Sequence, residues 1–158
     1  AASGSAVSAR ATPRATRCLS KWRRKAKGKR RRGWNRVGRE GFKSLRVWQK
    51  GKELAVFIYD LTGNGPFGSD FGFRDQMRRA SISIPSNIAE GDELKTDKQA
   101  IRHFYMAKGS SAEVLTQAII AHEIGYLTAD SFKEIEDRCI ELSGMLSRLI
   151  AARSKSRE

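Results

Sequence analysis

The chain has 158 residues, room for one ordinary domain and too few for two. Its net charge of +14 is unevenly placed: residues 1–44 hold 15 Lys/Arg and one acid, Glu40, whereas residues 45–158 hold 16 Lys/Arg and 16 Asp/Glu. This excludes a uniformly basic globule; the lack of any apolar run near the roughly 20 residues of a membrane span excludes an integral membrane protein.

Residues 1–20 are small and polar, with almost no core-forming side chains. Residues 21–36 follow with ten Lys/Arg: Lys21, Arg23, Arg24, Lys25, Lys27, Lys29, Arg30, Arg31, Arg32 and Arg36, interleaved with Trp22 and Trp34. Such a stretch buries too little apolar surface to offset the entropy of ordering, so residues 1–41 read as a disordered basic tail. Its charge density exceeds what solubility requires, and the phosphate backbone is the expected partner. The two tryptophans suit stacking on unpaired bases. The Ser-, Ala- and Arg-rich, acid-free start is also the composition of an organellar transit peptide, and an upstream extension that is seldom translated fits it too. There is no apolar stretch of the kind a secretory signal needs.

Four amphipathic segments occupy residues 42–152. The first runs from Leu45 to Thr62, with Leu45, Trp48, Ala55, Ile58 and Leu61 near one face and Ser44 as the expected N-cap. Gly63-Asn64-Gly65-Pro66 ends it. The second runs from Asp70 to Glu90, with Phe73, Met77, Ala80, Ile84 and Ile88 as its stripe and Gly91 as the left-handed residue after its last turn. Pro85 inside it predicts a kink, with Ser81 and Ser83 near the freed backbone groups. The third opens on the capping-box pattern Thr96-Asp97-Lys98-Gln99 and runs to Ile124 before Gly125. Its small residues, Ala107 and Gly109-Ser110-Ser111-Ala112, predict a tight helix crossing. The fourth runs from Asp130 to Ala152 on the seam Phe132, Ile135, Cys139, Leu142, Leu146 and Leu149, and leaves residues 153–158 as a short polar tail. The fold class that follows is all-α, an antiparallel four-helix bundle behind a basic tail.

Catalytic machinery does not assemble. Gly63–Gly68 is Gly-rich, but no Lys-Ser/Thr follows it, and His122-Glu123 has no second histidine four residues on. His103 and His122 lie 19 residues apart with no Cys or His beside either, so no metal site is expected. Cys18 and Cys139 lie on opposite sides of the charge boundary, which excludes a disulfide framework and fits a reducing compartment; Cys139 reads as a small core residue. No cofactor is implied, and the protein reads as a non-enzyme of the cytoplasm.

Arg74 and Arg78 stand one turn apart beside Arg79, and Lys98 and Arg102 repeat the spacing. Arg74, Arg78 and Arg79 are the candidate nucleic-acid contacts of the bundle. Asn87 and Glu90, one turn apart, and Glu113 with Gln117 read as polar pairs that fix helix register or subunit contacts.

The segments FKSLRVWQKGKELAVFIYDLT (42–62), FRDQMRRASISIPSNIAEG (73–91) and HEIGYLT (122–128) closely resemble the four-helix-bundle family of 23S ribosomal RNA intervening-sequence proteins. The most specific match is Arg78-Arg79-Ala80 followed by Ile84, Pro85, Ser86, Asn87, Ile88, Ala89, Glu90 and Gly91. The resemblance spans residues 42–152; residues 1–41 have no counterpart in it. It implies a homopentamer and a gene lodged within, or derived from, an insertion in ribosomal RNA. A related branch, the accessory proteins of diversity-generating retroelements, comprises basic pentamers that bind nucleic acid and a reverse transcriptase. The partners implied are therefore further copies of the chain, RNA or another nucleic acid, and a reverse transcriptase or ribosomal component, with no membrane.

Overall fold

The structure, a computed structural model, describes residues 41–63 and 65–155. Four α-helices follow one another: α1 (Arg46–Leu61), α2 (Phe71–Glu93), α3 (Asp97–Glu123) and α4 (Ala129–Lys155), with 3-10 turns at Gly41–Ser44 and Gly65–Gly68. There is no strand among the described residues. The expected basic tail, including Lys21–Arg36 with Trp22 and Trp34, lies outside them.

Side-chain contacts between neighbours fix the antiparallel order. Thr62 at the end of α1 meets Arg78 near the start of α2, while Gly51 meets Ile84 and Ile88 further along it. Ser83 of α2 meets Ser110 of α3, and Gly91 meets Phe104. Lys108 of α3 reaches Ser147 of α4, and Lys50 of α1 pairs with Glu141. The start of α1, the α2–α3 link and the end of α4 thus share one end of an up-down-up-down bundle.

The expected stripes of α2 and α4 hold most of the buried residues of those helices, with Phe73, Phe132 and Leu149 only partly buried. In α1 the buried face is turned toward Val47 and Leu54, and Leu45, Trp48 and Leu61 of the expected face are only partly buried. Leu54, Ile58, Met77, Ile84, Ile88, Phe104, Val114, Ile135, Leu142 and Leu146 form one core with essentially no exposed surface. Phe67 is also in it, although it comes from the Gly-rich link that reads as a plain connector. Its ring stacks on Phe73 and meets Tyr126 edge-on, closing that end of the bundle.

Helix ends differ from the sequence pattern at two places. Ser44 does not cap α1. Gly41, at φ 53°, turns the chain so that Phe42 packs edge-on against Trp48, and the Ser44 hydroxyl donates to the Gly41 carbonyl instead. Leu45 takes the N-cap position with no side-chain cap. Gly91 is not a left-handed terminator either: α2 continues past it to Glu93, because Gly91 supplies the close approach of α2 to Phe104. The glycine that does terminate a helix is Gly125, at φ 78°. Its N–H donates to His122 O and that of Tyr126 to Ala121 O, the paired bonds of a Schellman motif.

The remaining caps follow the pattern. The Asp70 carboxylate accepts from the Phe73 N–H at 3.0 Å. Thr96 accepts from the Gln99 N–H, but the second arm of the box is made between side chains, the Thr96 hydroxyl donating to Gln99 Oε1 at 2.8 Å. Helix α4 extends to Lys155, three residues beyond the expected end.

Candidate nucleic-acid interface

Arg74, Arg78 and Arg79 occupy the start of α2, and local chemistry places each differently. Arg78 is built into the bundle: its Nε donates to Thr62 Oγ1 at 2.8 Å, and its guanidinium lies 4.5 Å from the centre of the Tyr59 ring. It ties the start of α2 to the end of α1. Arg74 pairs with Asp75 and covers the exposed ring of Phe71. Arg79 is exposed. The structure therefore sets Arg79 apart from the two arginines that already hold protein groups.

The signature Ile84–Gly91 is a packing device. Ile84 and Ile88 are core residues. Helix geometry runs on through Pro85, and the helix opposite it carries Gly51, on which a Cβ would stand 3.1 Å from Ile84 Cγ2 and 3.6 Å from the Pro85 nitrogen. Ser81 and Ser83 do not serve the backbone around Pro85 in the expected way. The Ser81 hydroxyl donates to Arg78 O, and the Ser83 hydroxyl accepts from Ser110 of α3. Ser86 is exposed and donates to Ile82 O, and Ala89 is partly buried.

Asn87 is buried and donates from Nδ2 to both Ser83 O and Ser83 Oγ. A polar chain Asn87–Ser83–Ser110 thus joins α2 to α3 inside the bundle wall. Glu90 is exposed, and its Oε2 stands 3.2 Å from His103 Nδ1 on α3. Of the pair read from sequence, Glu90 meets α3 directly at His103, whereas Asn87 bonds to Ser83 of its own helix, which in turn meets Ser110 of α3. Gln117 is buried as its pattern suggests, with Oε1 unpartnered among the described residues, whereas Glu113 is exposed.

The small stretch of α3 divides between its two sides. Ala107, Ser110 and Ser111 are buried and form the close crossing. Gly109 and Ala112 face outward, and nothing lies within 4 Å of a Cβ built on Gly109. That outward side also carries Tyr105, Met106, Ile119, Ile120 and Ile124, each more than 40% exposed. Sequence reading missed this second apolar side because α3 is apolar on opposite faces, which blurs its periodicity.

Three further features escaped the sequence. Arg153 near the end of α4 clamps the α2–α3 link: Nη2 meets Asp92 at 2.9 Å and Nη1 meets Asp97 at 3.3 Å. A shallow cavity of about 310 Å³ beside that link is lined by Leu94, Gln99, Arg102, His103 and Met106. A second groove between α1 and α4, about 440 Å³, is lined by Val56, Phe57 and charges of both signs. Burial pushes the Cys139 thiol up to about 11 against a smaller opposing hydrogen bond from Ser111, so it is an inert core group. No cluster of metal-ligating residues exists among the described residues, and none of their helices is long and apolar enough to cross a membrane.

Comparison with known proteins accords with this geometry. A crystal structure of a protein of unknown function from the S23 ribosomal protein family of Bacteroides thetaiotaomicron superposes with a TM-score of 0.61 at 23% identity, covering 66% of this chain and 97% of that one. At that identity it shows the fold. A search of curated proteins finds no match. The family described as 23S rRNA-intervening sequence protein matches residues 43–148, which take in all of α1, α2 and α3 and most of α4. The chain belongs to the 23S rRNA-intervening sequence protein family.

Proposed function

We propose that this chain is a non-catalytic, self-associating helical bundle of the cytoplasm that binds RNA through its basic segments. The observation that carries the reading is the concentration of 15 Lys/Arg against a single acid in residues 1–44, beside a bundle that is close to neutral. A polycation of this density gains affinity for phosphate backbones by counterion release, without sequence preference. Self-association rests on the apolar outer side of α3, where isolated bundles gain by covering Tyr105, Ile119, Ile120 and Ile124. Family resemblance puts the number of copies at five. Repetition around such an assembly makes binding multivalent.

That same outer side of α3 favours a second reading, a scaffold that presents its surface to a protein such as a reverse transcriptase. The test is a salt series on one structured RNA, comparing the full chain with a variant in which the ten Lys/Arg of Lys21–Arg36 are Gln. If roughly six tail cations meet phosphates, the full chain has a log–log salt slope of about −4 to −5, and the variant loses most of it. Equal slopes sink the tail's role. No shift for either protein at low salt favours the scaffold.

A further inference from the structure

Charge in the bundle is divided lengthwise. Cutting each helix at its middle puts residues 41–53, 83–110 and 143–155 in one half, which holds eleven Lys/Arg against five Asp/Glu. The other half, residues 54–82 and 111–142, holds five against ten. A near-neutral bundle is thus a rod with a surplus of six positive charges at one end and five negative at the other. At the basic end three of the five acids face a cation or imidazole of the bundle, and Glu53 and Glu93 are exposed. Asp92 and Asp97 hold Arg153, and Glu90 faces His103. The exposed cations there include Lys95, Lys98 and Arg102.

The cavity beside the α2–α3 link lies at this end. Leu94 and Met106 give it apolar walls, Arg102 and Gln99 flat polar edges, and His103 an imidazole. Lys95 and Lys98 adjoin Leu94 and Gln99 in sequence. A nucleobase has apolar faces and polar edges, and its flanking phosphates are anions. In a duplex its faces are stacked and out of reach, so a cavity of this kind serves only an unpaired nucleotide. The acidic half repels the same strand. We infer that the basic end of the bundle is a single-strand site, in which the cavity lined by Leu94, Gln99, Arg102, His103 and Met106 seats one unpaired base while Lys95 and Lys98 meet its phosphates. This rests on the RNA-binding reading and specifies where on the bundle the strand lies and in what form.

The test uses the full chain and a short single-stranded RNA carrying 4-thiouridine, photocrosslinked and mapped by mass spectrometry. Crosslinks are expected in the peptides covering Gln99–Lys108, and an unlabelled strand competes for them while a blunt duplex of the same length does not. In the double variant Lys95→Glu with Lys98→Glu, both exposed and therefore tolerant of change, these crosslinks fall roughly tenfold and the salt slope shrinks by about 1.4 for two lost phosphate contacts. Lys133→Glu, at the acidic end, leaves both unchanged. Crosslinks confined to residues 1–40 or to the acidic half overturn the inference while the RNA-binding reading stands. Equal competition by the duplex overturns it too. Absence of any RNA binding by the unaltered chain removes both.

Discussion

Gly91 of α2 lies against the ring of Phe104 of α3, so close that a Cβ on the glycine would stand 2.7 Å from Cε1 of the ring and 3.2 Å from the Ala100 carbonyl oxygen. Phe104 is fully buried and Ala100 O is backbone, so neither can withdraw cheaply. Two effects oppose each other in Gly91→Ala. Helix propensity favours alanine by about 1 kcal/mol, and overpacking costs about 1–3 kcal/mol. The second wins here, because both neighbours are held in place, and denaturant unfolding should show a net loss of up to about 2 kcal/mol. At Gly109, with open space around it, only the propensity term acts on the bundle, and Gly109→Ala should stabilise it by up to about 1 kcal/mol. Two changes of the same sign would overturn this account of Gly91.

The Asn87–Ser83–Ser110 chain supplies a second measurement. Ser83→Ala removes the acceptor that serves both Asn87 Nδ2 and the Ser110 hydroxyl, although each keeps a backbone carbonyl, Ser83 O and Met106 O respectively. A loss of about 1 kcal/mol is expected, smaller than that of a fully stranded pair. In a double-mutant cycle, Ser83→Ala with Ser110→Ala should show a coupling of about 0.5–1 kcal/mol. Simple additivity would mean the bond between the two helices contributes nothing.

Arg153 holds two carboxylates from different segments, and the Asp92 side chain is only 8% exposed. Arg153→Ala leaves a largely buried carboxylate without its cation, at a cost of about 1–3 kcal/mol, below that of a fully interior pair because the guanidinium is partly solvated. Arg153→Lys should recover less than half, since one ammonium cannot bridge both acids in the same geometry. Thermal unfolding at two salt concentrations reads the difference.

The Cys139 thiol has a folded-state pKa raised to about 11 from an ordinary value near 9.0. A raised pKa means the native state holds the proton more tightly than the unfolded state. The associated stability is complete below pH 9 and is lost as pH climbs from about 9 toward 11. Comparison of Cys139→Ala with the unaltered chain isolates this term from lysine and tyrosine titration. The variant should be less stable at neutral pH, by about 1 kcal/mol of lost packing, and its stability should fall less between pH 9 and 11. Parallel curves would show that the thiol titrates alike in both states.

Much of the fold was legible because each core stripe is carried by residues at helical spacing, as in Met77, Ala80, Ile84 and Ile88 of α2. The family signature was legible in a different way, through the resemblance of Arg78–Ala80 and Ile84–Gly91 to a known family, which periodicity alone does not supply. Helix ends were harder. Gly91 and Gly125 look alike in sequence, each following an apolar run, yet one meets a ring across a helix crossing and the other turns left-handed. Only the neighbouring helix decides which. Ser44 was misread because a single aromatic contact, Phe42 on Trp48, outweighs a hydroxyl cap. The charge polarity of the bundle was hidden by its cancellation along the chain; antiparallel packing separates what the sequence mixes. The clamp by Arg153 joins residues 56 and 61 positions apart, beyond any local pattern.

Helix α2 is braced from several directions at once. Gly51 admits α1 against Ile84 and Pro85, Gly91 admits Phe104 of α3, Arg78 ties its start to Thr62, and Arg153 holds Asp92 near its end. A helix gripped in this way has no cheap partial opening, since releasing any one turn disturbs a contact with another helix. Its amide hydrogens should therefore exchange with solvent only when the whole bundle unfolds, later than those of α4, whose last turn projects past Ile150 with Ala151, Ala152 and Ser154 exposed. The slowest-exchanging part of the molecule would then coincide with the segment that identifies its family.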